Sequence, residues 1–317
     1  MRGEFFALVS AFCWSLHMIY ARKAQTKNNR SANPMDPMLG LFITIFVNNV
    51  INAIALVVRH FVWDPVPINQ AGLMFFVFGG LTNVLIGRGL LFTCVSMLGA
   101  ARAGLTKAMV PVFSLLGGIF LLGERLGSWS WLGICIVIFG LFLMSFDTMR
   151  RESKKHVETI QSDTIKKKAD RLRFIKGIVF GLVAALFFGA GNVFRKAGVT
   201  VLPDTILAVS VGAIFALFAC VLVLLIQRKG RDMLLAIKNI EFNYAISGVF
   251  ASGAIYALVT ALQLIPVSLA NPISATEPLF TIFLVWLMKE GKKEGLGIQT
   301  LFFGVIMVIG TIILIAK

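Results

Sequence analysis

Polar stretches are what this chain has least of. Only 14% of its residues carry charge, and only Asp147 to Phe174 is long and polar enough to stand outside an apolar environment. A water-soluble domain of any size is therefore excluded. Histidine is scarce: His17, His60 and His156 are the three present, set far apart. No HExxH, GxSxG or paired-aspartate magnesium motif occurs, so no enzyme activity is expected. The four cysteines, Cys13, Cys94, Cys135 and Cys220, show no CxxC spacing, which argues against a metal site or a disulfide framework. No cofactor is implied. Acidic residues number 15 against 30 basic ones, a net charge of +15. In a soluble protein that excess would suggest nucleic acid, but no aromatic-interleaved basic motif accompanies it and no nucleic-acid partner is expected.

What the chain does have is apolar length. Hydrophobic residues make up 58% of it and its mean hydropathy is +0.87. Crossing the hydrocarbon takes about 20 apolar residues as helix. Ten stretches of roughly that size can be drawn, at 3–20, 38–59, 71–96, 104–122, 129–146, 176–194, 204–226, 242–262, 266–288 and 297–316. None alternates as a barrel strand would, and lipid accepts only helices or closed barrels because every backbone polar group must be satisfied internally. The expected fold class is an all-α membrane protein of ten transmembrane helices. The first apolar stretch runs into Ala21, Arg22 and Lys23 with no cleavage signature, so it is expected to act as an uncleaved anchor.

The basic residues are distributed unevenly. Loops after the odd-numbered spans hold 22 of the 30 Lys and Arg, whereas the termini and even loops hold six; Arg88 and Lys107 lie within spans. Basic residues near span ends favour the cytoplasmic side, so the odd loops are expected inside the cell and both termini outside. The basic segment 147–174, which has no apolar periodicity, is expected to be a linker facing the anionic inner leaflet, where each basic residue adds about 1 kcal/mol of attraction. The lipid bilayer itself, most simply the cell (inner) membrane, is thus an expected partner.

The chain also repeats itself. Phe12, Trp14 and Ser15, followed by Arg22-Lys23-Ala24, parallel Phe187, Phe188 and Gly189, followed by Arg195-Lys196-Ala197. Met109-Val-Pro111-Val-Phe113-Ser114 lines up with Thr276-Glu-Pro278-Leu-Phe280-Thr281. Each of these segments precedes a last span carrying paired glycines, Gly133 and Gly140 or Gly304 and Gly310. Five spans per copy is an odd number, so the copies insert with opposite orientation. Inverted repeats of this kind mark transporters whose substrate site lies near the bilayer midplane. The expected organisation is a first repeat at 1–146, the linker at 147–174 and a second repeat at 175–317.

Gly99-Ala-Ala-Arg-Ala103, Pro111-Val-Phe, Leu121-Leu-Gly-Glu124-Arg125-Leu126, and then Gly133 and Gly140, resemble the EamA domain of the drug/metabolite transporter superfamily. Glu277-Pro278-Leu279 resembles the Glu-Pro motif of its second copy. The resemblance covers nearly the whole chain and implies ten spans in two five-helix copies. It also implies transport of a small metabolite or drug, without indicating which. The second copy departs from the pattern at Met288-Lys-Glu290-Gly-Lys-Lys. Relatives of this kind keep both termini in the cytoplasm, opposite to the charge asymmetry here.

Two charges lie deep in spans. Glu277 is the acidic one, and a charge at that depth costs about 2.5–3.5 kcal/mol even on insertion scales. It is a candidate for the coupling carboxyl, with a fixed interhelical bond as the alternative. Arg88 is suited to an anionic substrate group through its planar fork, or to a structural pair. Repeat alignment sets Tyr256 opposite Arg88, while Asn48 and Asn52 share one face of the second span. Trp14 shares a face with Ser10 and His17 in the first span. These residues are candidates for lining a cavity, with interhelical contacts as the bland reading. Pro111 and Pro278 occupy matching points and are candidate hinges, since proline bends a helix.

Together these features point to a secondary-active carrier of a small molecule, with protons as the expected coupling ion. A lipid flippase or a non-transporting partner protein is the alternative. On the charge distribution, a C-terminal reporter active only in the cytoplasm is expected to be silent and one active only outside to report; the opposite pattern would reverse the orientation.

Overall fold

The computed structural model describes residues 2–29, 37–62, 69–98, 103, 106–157, 164–288 and 298–316. Every regular element among them is helical. In order these are α1 (Arg2–Asn29), α2 (Pro37–Val62), α3 (Gln70–Gly80), a π-helical segment (Leu81–Gly87), α4 (Arg88–Leu98), α5 (Val110–Leu122) and α6 (Ser128–Val157). Then follow α7 (Thr164–Val201), α8 (Thr205–Ile226), α9 (Gly230–Lys238), α10 (Phe242–Leu264), α11 (Val267–Ser274), α12 (Glu277–Leu287) and α13 (Ile298–Ile315).

Seven of the described helices are long and apolar enough to cross a membrane, and Val110–Leu122 and Phe302–Ile315 are shorter apolar helices. The chain is a multi-pass, all-helical membrane protein. Its polarity is inverted relative to a soluble fold. Phe61, Phe120 and Ile226 are 81%, 79% and 73% exposed, while Ser10, Ser15, Asn52, Ser247 and Ser252 are at most 1% exposed. Large apolar side chains turned outward in such numbers mark a lipid-facing surface, and small polar ones inside serve close helix packing.

Several expected spans are interrupted. The third changes to π-helical geometry at Leu81–Gly87, the fourth is helical from Val110 onward, and the ninth is broken between Ser274 and Glu277. Pro111 and Pro278 each occupy the second position of a new helix, where a missing N–H leaves no intrahelical bond unmade. They open helices instead of bending continuous ones. Both ends of the segment read as a basic linker are helical. α6 extends to Val157 and α7 begins at Thr164, because Lys, Arg and Glu are good helix formers and a helix anchored in the membrane propagates without a new nucleus. Arg195 and Lys196, assigned from the sequence to a loop, lie within α7.

The chain forms two compact units, neither of which coincides with a sequence repeat. Unit one comprises Met1–Leu81, Phe194–Ile265 and Glu277–Met288, and unit two comprises Thr82–Val193, Pro266–Thr276 and Lys289–Lys317. In unit one, α1 packs along α10 and against α12, while α2 packs on α8 and α10. α3 crosses α8 backbone to backbone: a Cβ at Gly80 would lie 2.4 Å from the Gly212 carbonyl oxygen. Asp204 caps α8 by accepting the Leu207 N–H at 2.9 Å and pairs with Arg59 near the end of α2 at 2.5 Å. In unit two, α6 packs along α13 and both α5 and α6 meet α11. Cys94 and Leu98 of α4 form a small core with Ala103 and with Ile178 and Phe180 of α7.

Gly80→Ala is expected to cost about 1–3 kcal/mol, since the added methyl has only backbone to displace. Gly89→Ala, with nothing within 4 Å of its Cβ, is expected to be neutral. Melting of both variants in detergent checks this, and equal melting temperatures would show that the α3–α8 crossing is not tight.

Candidate functional site

In unit one three of the expected cavity residues, Tyr256, Asn52 and Asn48, are joined in one polar column. The Tyr256 hydroxyl donates to Asn52 Oδ1 at 2.7 Å, Asn52 Nδ2 to Asn48 Oδ1 at 3.1 Å, and Asn48 Nδ2 to Ser252 Oγ at 2.7 Å. Ser252 Oγ donates onward to the Gly248 carbonyl at 2.9 Å. All four bonds run in one direction and end on a backbone acceptor, so the column ties α2 to α10 and polarises along its length. Asn49 joins α2 to α8 by donating to the Ala213 carbonyl at 3.1 Å.

Trp14 and His17 lie edge to face with ring centroids 5.2 Å apart. His17 Nδ1 lies 3.0 Å from the Ser247 carbonyl and 2.8 Å from the Ser247 hydroxyl. This imidazole is therefore an α1-to-α10 fastening. Ser10, on the same face, is fully buried.

Glu277 is half-buried and opens α12 directly after the break. That position supplies the compensation an intramembrane carboxylate needs, because the N-terminal end of a helix favours negative charge. The Ser15 hydroxyl donates to the Glu277 carbonyl at 2.5 Å and Thr281 Oγ1 donates to it at 3.1 Å. Glu277 thus stands in unit one with the polar column, at the entry of a helix and not in the middle of one.

Arg88 belongs to unit two, as the first residue of α4 after the π-helical segment. π turns are rare and are frequent at functional sites. The segment carries Asn83, whose Nδ2 donates across a long 3.5 Å to Asn192 Oδ1 on α7. Asn192 Nδ2 donates in turn to Asn271 Oδ1 on α11 at 3.1 Å. These three amides are 9%, 6% and 4% exposed. Asn192 and Asn271 were not singled out from the sequence. Nothing in the spacing relates positions on three separate helices, although each is an amide set in an apolar run.

Glu124 was also missed as a working residue, although the Leu-Leu-Gly-Glu motif contains it. Gly123 ends α5 in the left-handed conformation (φ 66°), which turns the chain so that Glu124 reaches the start of α11. Its Oε1 accepts the Val267 N–H at 2.7 Å, and its Oε2 accepts the Ser268 N–H at 3.0 Å and the Ser268 hydroxyl at 2.5 Å. A carboxylate at a helix N-terminus satisfies orphan donors and complements the dipole. Pro111 starts α5 in this unit, with Met109 as the residue before the helix; Pro278 belongs to unit one.

Glu124→Ala is expected to destabilise the protein by about 2–3 kcal/mol, the scale of bonds to a charged group left unmade. Glu124→Gln, which keeps one acceptor, is expected to lose less. Melting in detergent distinguishes these outcomes; an unchanged Glu124→Ala would remove the capping role.

No curated protein matches the chain by sequence. A solved structure known only as the crystal structure of a protein matches with a TM-score of 0.67 over 98% of this chain and 95% of that one, at 16% identity. At that identity the likeness concerns the fold alone. The sequence model of the EamA-like transporter family matches residues 1–146 and again 175–316, one copy on each side of the basic segment. With both copies of the family domain covering nearly its whole length, the chain belongs to the EamA-like transporter family.

Proposed function

We propose that this protein is a secondary-active transporter that exports a small metabolite or drug across the plasma membrane, driven by protons through alternating access. The reading divides the chain into repeats at 1–146 and 175–317 joined by a cytoplasmic basic linker, with ten passages and both termini outside. The observation that carries it is Glu277: an acidic side chain within an apolar region, at the opening of a helix that follows a break. Intramembrane ionisable groups of this kind mark ion and substrate pathways, and discontinuous helices are where transporters place them.

Each remaining candidate has a role in this scheme. Glu277 takes and releases the coupling proton. Arg88, leaving the π-helical segment, anchors an anionic group of the solute. Trp14, Asn48, Asn52 and Tyr256 shape the cavity from unit one, the three hydrogen-bonded residues acting as a rigid wall. The helix openings at Pro111 and Pro278 absorb the backbone changes of alternation, a role suited to short non-helical joints.

Uptake of labelled amino acids, sugars, organic acids, nucleosides and cationic dyes into proteoliposomes, with and without an imposed pH gradient, tests the reading. Saturable, gradient-dependent movement of a solute is expected from the wild type. Glu277→Gln is expected to reduce that movement to background while the protein elutes as a folded species. Gradient-driven transport at the wild-type rate in Glu277→Gln would end the coupling role.

A further inference from the structure

The amide ladder of unit two ends differently from the column of unit one. Asn83 donates to Asn192 and Asn192 to Asn271, but Asn271 Nδ2 is buried with no hydrogen-bond partner among the described residues. Within that head-to-tail order the free end of the last amide is its N–H2: turned round alone, it would oppose the N–H2 of Asn192. Ser114 Oγ, on α5, is likewise buried without a partner among the described residues. Ser114 is 0% and Asn271 4% exposed. Leaving one such group unmade costs about 1–3 kcal/mol, and each instance in a folded protein asks for a reason.

The two groups lie at one level of the unit. α5 and α11 run antiparallel, because Glu124 just past the end of α5 caps the start of α11. Gly118 packs against Val267. Ser114, one turn before Gly118, is therefore level with Asn271, one turn after Val267. α7 closes the same level, since Gly189 packs against Phe113 and Ser114 and Val193 against Gly117, and it carries Asn192 between those two contacts.

We infer that Asn271 and Ser114 form a subsite for an uncharged acceptor oxygen of the transported solute, an amide or ring carbonyl or a hydroxyl. The inference rests on the carrier reading and names the chemistry of one end of the cargo. An amide N–H2 only donates and a serine hydroxyl can donate, so their common complement is an oxygen with free lone pairs. The amide N–H2, a donor only, does not ligate a metal cation. Asn83, Asn192, Asn271 and Ser114 carry no charge, and a carboxylate buried among neutral groups costs more than their hydrogen bonds return. Polarisation along the ladder strengthens its last donor, so a neutral acceptor suffices.

The test uses the purified full chain and tritiated uridine, galactose and nicotinamide as uncharged probes, with glutamate and lactate as charged counterparts. Binding in detergent is measured beside proton-driven uptake into proteoliposomes. At least one uncharged probe is expected to bind saturably. Ser114→Ala is expected to weaken it about fivefold to tenfold, the value of one hydrogen bond, while the unliganded protein melts at the same temperature or higher because an unmade hydroxyl has been removed. Asn271→Asp, which exchanges the donor for an acceptor, is expected to abolish binding. Wild-type affinity in Ser114→Ala, or a lower melting temperature with unchanged affinity, would overturn the subsite and leave a structural or water-filled position. Binding of charged probes that Ser114→Ala and Asn271→Asp leave unchanged, or binding of no probe, would also overturn it. Failure of the carrier reading shows separately, as the absence of gradient-driven movement of any probe.

Discussion

Hydrocarbon offers the backbone no hydrogen-bond partner, so each place where a helix stops inside this protein must be satisfied by the protein itself. The junction between α10 and α11 shows how. In unit one, Lys196 Nζ donates to the carbonyls of Leu262 and Ile265 at 2.6 and 3.0 Å, at the end of α10. In unit two, the Glu124 carboxylate takes the first N–H groups of α11. The cation meets the negative end of one helix dipole and the anion the positive end of the next. Two charges that would be costly in lipid are thereby placed where they are useful. The same constraint explains why Pro111 and Pro278 sit at helix openings, where the missing N–H leaves nothing unmade.

Once the breaks are secured, the interior polar groups can be few and directional. The column of unit one runs from the Tyr256 hydroxyl through Asn52, Asn48 and Ser252 to a backbone carbonyl and is complete. The ladder of unit two ends on an amide N–H2 with no hydrogen-bond partner among the described residues. A saturated network stiffens the helices that carry it; an open-ended one retains capacity for a further partner. Small residues allow both to exist, because glycines such as Gly80 and Gly118 bring helices close enough for short side chains to meet.

The functional candidates drawn from the sequence fared according to how local their signals were. Asn48 and Asn52 share a face at helical spacing, and they are joined directly. The equivalence of Pro111 and Pro278 is visible as a repeated motif, and each begins a helix. Asn192 and Asn271 carried no usable mark, and Ser114 and Lys196 stood out only as members of repeated motifs. The surroundings of each are set by other helices, which local spacing does not show. The π-helical segment at Leu81–Gly87 was equally hidden, since its residues differ little in hydropathy from those of an ordinary span.

The sequence by itself determined that this is a helical, multi-pass membrane protein built from two related halves, because apolar length and motif repetition are properties of the chain alone. It also made two charges conspicuous, Arg88 and Glu277, since a charge in an apolar run stands out without a fold. Only the tertiary structure decided where helices stop, which amides complete a network and which end unpaired, and that each compact unit draws on both halves of the chain. Those outcomes depend on contacts between residues 66 or more positions apart, and no local periodicity encodes them.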